Sequence, residues 1–93
     1  MKNISIIRPP ESRALKSGKV VLMPGEEVGE HVTTAREEVI IVIKGEAAVV
    51  KNGKYHRIGE GEAHYIKEGV THNVKNLSDA PVEYVYVVSL FHQ

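Results

Sequence analysis

The sequence predicts an all-β fold, a sandwich or a barrel, on three observations. β-Branched residues and tyrosines gather in runs of roughly four to eight, glycines and turn residues punctuate those runs, and helix signals are nearly absent. In order, the runs predict strands at residues 20–23, 28–33, 38–44, 46–51, 54–58, 62–66, 72–76 and 82–90. A further short strand is expected at 4–7, inside an N-terminal arm of residues 1–17 that precedes a barrel at 18–93. The stretch 8–17, with Pro9-Pro10, reads as loosely structured.

The turns between the runs are well specified. Asn52-Gly53 separates two strand-like runs and is a strong two-residue hairpin signal, because both central positions need positive φ. Pro24-Gly25 presets one turn, Gly59 and Gly61 bracket another, Gly69 marks a third, and Ser78-Asp79-Ala80-Pro81 opens the last strand.

Two strands are apolar on both faces. Ile40 and Val42 share one face of the 38–44 run, while Val39, Ile41 and Ile43 share the other. In the last run, Val82, Tyr84, Tyr86, Val88 and Leu90 alternate with Val85, Val87 and Phe91. An antiparallel sheet facing water would be polar on one side, so a second copy of the chain is expected to cover the outer face, giving a homodimer.

Composition removes several function classes. Ninety-three residues make a single domain. Twelve basic and twelve acidic residues cancel, so no basic nucleic-acid surface is expected. With no cysteine, disulfides, thiolate metal sites and cysteine nucleophiles are excluded. The longest apolar run, residues 39–43, is far too short to cross a membrane, and the opening residues are too short for a signal peptide's apolar core. A cytoplasmic location is therefore expected.

Strand parity brings the polar residues with chemical capability together. His31 shares a face with Thr33, Glu38 with Ile40 and Val42, and His72 with Val74 and Asn76. The apolar companions mark those faces as inner. A buried carboxylate is costly unless it is paired or binds a metal. Two imidazoles and one carboxylate around a point form a metal site with open positions.

The segment from Gly25 to Gly45 resembles the first motif of the cupin family: glycine, five residues, His-x-His, three or four residues, Glu, six residues, Gly. The segment from Gly61 to Asn76 resembles the second: glycine, five residues, Pro-x-Gly, two residues, His, three residues, Asn. The resemblance covers residues 18–90 and implies a double-stranded β-helix, or jelly-roll barrel. It also implies a divalent transition metal (Fe, Mn, Ni, Zn or Co) held at His31, Glu38 and His72. Two positions depart from the motifs: Thr33 stands in place of the second histidine, and Lys67 in place of the proline.

Thr33 leaves the usual site one ligand short. Three protein ligands plus water, replacement by His64, or a metal-free pocket for an organic ligand all remain open. His64 shares parity with Ile66 and is expected inside, as a ligand or as a pocket-lining group beside Thr33. Returning histidine at position 33 is expected to tighten metal binding. His56 is assigned to packing, His92 to no role, and Arg36 and Glu37 to the surface; parity does not choose among Tyr65, Tyr84 and Tyr86. The resemblance implies either dioxygenase, isomerase or decarboxylase chemistry on a small polar or carbohydrate-like molecule, or a non-enzymatic binding or sensor module.

Overall fold

In the computed structural model, which describes residues 1–91, nine strands form two antiparallel sheets, and the described residues contain no helix. The strands are β1 (Lys2–Ile7), β2 (Leu15–Leu22), β3 (His31–Val32), β4 (Arg36–Lys44), β5 (Ala47–Lys51), β6 (Lys54–Ile58), β7 (Ala63–Ile66), β8 (Thr71–Lys75) and β9 (Val82–Leu90). One sheet runs β1-β2-β9-β4-β7 and the other β3-β8-β5-β6. This is the expected jelly roll. No helix is long and apolar enough to cross a membrane. His92 lies outside the described residues.

The boundaries differ most from expectation in the first three strands. β2 begins at Leu15 rather than Val20, so the 17/18 division falls inside one strand, and β1 pairs along β2 from Lys2 to Ile7. The expected strand at 28–33 shrinks to His31–Val32. Upstream of it the chain still follows β8 through Val28 N–H to the Val74 carbonyl, Asn76 N–H to the Glu26 carbonyl, and Gly29 N–H to Asn73 Oδ1 at 2.8 Å. Gly29, at φ 115°, breaks the ladder there.

The inner face of the larger sheet is built in rows by the strand register. Lys16, Val88, Glu38 and Ile66 lie across four strands in one row. Gly18, Tyr86, Ile40 and His64 form the next, and Val20, Tyr84 and Val42 the one below. The lower rows merge with Leu22, Val49, Ile58, Val74 and Val82 into the buried core. Arg36, paired with Leu90, lies beyond the first row.

Sequence dictates the corners. Asn52 and Gly53 take φ of 49° and 81°, the hairpin geometry their types favour. Gly45 combines φ 82° with backbone contact so close that a Cβ would collide with the Pro81 carbonyl. Asn76 is fully buried and structural: its amide donates to the Leu22 and Ala80 carbonyls, and its Oδ1 accepts from Ser78.

Candidate metal centre

His31 and His72 are directly opposed cross-strand neighbours on β3 and β8, with ring centroids 4.1 Å apart. Glu38 reaches them from β4 in the facing sheet, placing its Oε1 3.4 Å from His72 Nε2. One potential ligand atom from each of the three residues lies within 4.8 Å of the others. The 3.4 Å separation suits two ligands each roughly 2.1 Å from a common ion.

Hydrogen bonds orient both rings. His31 Nδ1 lies 2.9 Å from the Gly29 carbonyl, and His72 Nδ1 lies 3.1 Å from the Val70 carbonyl. A carbonyl only accepts, so each Nδ1 carries the proton and each Nε2 keeps its lone pair. This is how metal-binding histidines are normally held. Thr33 belongs to the same support. Its Oγ1 lies 3.1 Å from His72 Nδ1 and donates its own proton to the Val70 carbonyl at 3.3 Å. Thr33 is only 2% exposed. The residue standing where the family has its second histidine therefore braces His72.

Burial pulls the His72 pKa down, but the hydrogen bonds to Glu38 and to the Val70 carbonyl outweigh it, leaving the pKa above the usual imidazole value. In the metal-free protein, His72 and Glu38 form an ion pair whenever the ring is protonated.

The triad opens into a cavity of about 420 Å³ between the sheets. Val20, Val28, Val74 and Val88 supply apolar wall, Thr33 lines it, and Tyr84 and Tyr86 contribute phenols. Burial first, then the nearby Glu38 charge, raise the Tyr84 pKa and keep it a protonated donor. Tyr86 lies over Gly18, where a Cβ would collide with the phenol. Tyr65 faces outward and bonds Glu37 at 2.7 Å.

His64 is not brought to the triad, nor does it line the cavity. It points inward as its parity requires, but in the second row, from the edge strand β7. There its ring stacks on His56 of β6 at 5.1 Å. The pair closes the seam between the two sheets, and parity alone could not separate that seam from the cavity. Burial, then Lys51 and His56, hold the His64 pKa below the usual imidazole value, and its buried Nε2 has no hydrogen-bond partner. Sequence reasoning left out Lys16 and assigned Arg36 to the surface; both line the cavity, Arg36 because it shares the inner face of β4 with Glu38.

A family model described as the cupin domain matches residues 18–88. The chain belongs to the cupin family. A search of curated proteins returns no match. Among solved structures, the chain is similar to a predicted oxalate decarboxylase from Thermotoga maritima, with 27% identity and a TM-score of 0.76 over 81% of this cupin and 65% of that chain. It is also similar to an RmlC-like cupin with a double-stranded β-helix fold from Methanocaldococcus jannaschii, with 20% identity and a TM-score of 0.86 over 97% and 80% of the two chains. A third likeness, at 21% identity and a TM-score of 0.73 over 83% and 51%, is to a cupin-superfamily sugar phosphate isomerase from Silicibacter pomeroyi. At these identities the last two likenesses establish the fold alone. This cupin spans about two thirds of the first structure and half of the third.

Proposed function

We propose that this cupin binds one divalent transition-metal ion through His31, Glu38 and His72 and presents it to a small molecule in the cavity. The supporting observation is the hydrogen bonding of the two imidazoles. Both Nδ1 atoms are engaged by carbonyls, which leaves two neutral nitrogen donors beside a carboxylate. This donor set fits Fe, Mn, Ni, Zn or Co and leaves positions for water and ligand. When bound, the ion supplies a Lewis acid. The protein's own contribution is to orient the donors and to wall the cavity with valines and tyrosines.

Binding or sensing fits the cavity better than general acid–base catalysis. Once His31, Glu38 and His72 are ligands, no carboxylate or imidazole remains among the described residues lining the cavity, and His64 stands apart. Decarboxylase, isomerase or dioxygenase chemistry is the enzymatic alternative and would depend on the ion. The oxalate decarboxylase reading carried by the Thermotoga maritima structure is that protein's own. We further propose that the chain works as a homodimer.

Elemental analysis of the native protein beside His72→Ala tests the metal reading. The expected result is about one ion per chain in the native protein and little in the variant. Circular dichroism would check that the variant is folded. A native protein that stays metal-free after soaking with each of the five metals overturns the reading.

A further inference from the structure

The cavity lining carries cations at two places: Lys16 on β2, and Arg36 on β4, the strand that also holds Glu38 of the triad. Lys16 and Glu38 both pair with Val88, one from each side, so their backbones lie two strand spacings apart, about 10 Å. Between them the floor is apolar: Val88 in the row itself, with Val20 and Val74 also lining the cavity.

Among the described residues, neither cation has an ion-pair partner. The described ion pairs involve Met1, Lys19, Arg57, His72 and Lys75, not Lys16 or Arg36. Lys19, on the opposite face of β2, pairs with Glu83, so the inward cation is the one left unpaired. Arg36 donates its Nε proton to the Thr34 carbonyl at 3.2 Å, which holds the guanidinium while leaving its terminal nitrogens for a ligand. Among the described residues the one carboxylate lining the cavity is Glu38, 3.4 Å from His72 Nε2. A bound divalent ion would add two positive charges, against the single negative charge of Glu38. In a partly dehydrated cavity, such an excess selects an anion.

We propose that the ligand is a short-chain dicarboxylate that spans the cavity. One carboxylate meets Lys16, an apolar body lies over Val88, and the second carboxylate points toward β4, where Arg36 stands two residues from Glu38 of the triad. The pull of the triad on that second carboxylate rests on the metal-binding reading; the contacts with Lys16 and Arg36 do not. Tyr84 adds a hydroxyl donor to the same cavity, while the Tyr86 hydroxyl donates to Asn3 Oδ1 at 3.4 Å.

The test is calorimetric titration of the protein, its metal content measured in parallel, with succinate, glutarate and adipate, their diamides, and inorganic phosphate. At least one diacid is expected to bind, with its diamide at least about tenfold weaker. Lys16→Met and Arg36→Met should each weaken the diacid by about tenfold while leaving metal content unchanged. The proposal falls if no diacid binds, if the diamides bind as well, if phosphate binds as tightly, or if the double variant retains native affinity. Should the native protein prove metal-free, the metal reading fails separately, and the methionine variants still decide the Lys16 and Arg36 contacts.

Discussion

At the residue scale, the informative departure from the family pattern is Thr33. The sequence suggests a lost ligand, and restoring histidine there should tighten the site. The structure also gives Thr33 a supporting role, because the side chain is buried and its Oγ1 meets His72 Nδ1. Histidine would remove that brace and would not simply add a donor. Thr33→Val keeps the shape and removes only the hydroxyl. It is expected to weaken metal affinity by roughly 10–100-fold, as loss of a group supporting a ligand does, at a stability cost of about 1 kcal/mol. Competition with a chelator of known affinity would measure the first and denaturant unfolding the second. Unchanged affinity would remove Thr33 from the site.

His64 yields a prediction of a different kind. Burial, Lys51 and His56 depress its pKa in the folded protein. The unfolded state therefore takes up a proton before the folded state does, and stability falls as pH drops through about 6.5 toward the lowered value. His72 has the opposite sign: its raised pKa stabilises the metal-free protein below about 6.5 and is lost as pH rises through the folded value. Comparing native with His64→Phe cancels the His72 contribution. The variant should lose less stability than the native protein between about pH 7.5 and pH 5.5, read as the shift in denaturant midpoint. Equal shifts would mean that the ring protonates freely in the folded state. His64→Phe should also keep its metal, since His64 stands outside the triad.

At the element scale, β4 through β9 were legible in full, and the two strands that complete the cavity, β2 and β3, were legible only in part. β4 through β9 announce themselves by apolar alternation and by turns such as Asn52-Gly53. The first half of β2 does not, because its inward residues, Lys16 and Gly18, face a cavity and a tyrosine ring instead of core. An apolar period of two is a signature of burial, and a strand lining an opening lacks it. β3 falls within the strand expected at 28–33 but keeps only His31 and Val32 of it; both are exposed, and His31 is there for the site. The triad itself was legible from motif spacing. The tyrosines were not, since both faces of β9 are apolar and parity had no polar side to choose. Gly18→Ala tests this reading of β2. Its Cβ would strike the Tyr86 phenol, and such overpacking typically costs about 1–3 kcal/mol. Adding Tyr86→Leu should recover much of that loss in a double-mutant cycle. Additive losses would mean that the cost has another origin, such as strand backbone strain.

At the scale of the whole molecule, the outer face of the larger sheet remains to be accounted for. Val21, Val39, Ile41, Val85 and Val87 fall on that face by register, opposite the cavity side. All five are only partly buried within one chain. Ile4 of β1 continues the face, and Tyr65 of β7 bounds it on the other side; each is more than half exposed. Lys19, between Ile4 and Val85 in the register, pairs with Glu83 on the same face, and Glu37 stands at its edge, so charges of both signs flank the apolar residues. A twofold pairing would let this patch cover its own copy, and a chain of zero formal charge offers little long-range repulsion against it. Sedimentation analysis at micromolar concentration should therefore show a dimer. Val87→Glu, at the centre of the patch, should shift it to monomer by placing like charges across the symmetry axis. Because Val87 points away from the cavity, metal content should be unaffected, so a monomer that keeps its ion would locate the interface on this sheet. A native protein that sediments as a monomer would leave the outer valines as ordinary sheet surface and sink the paired assembly.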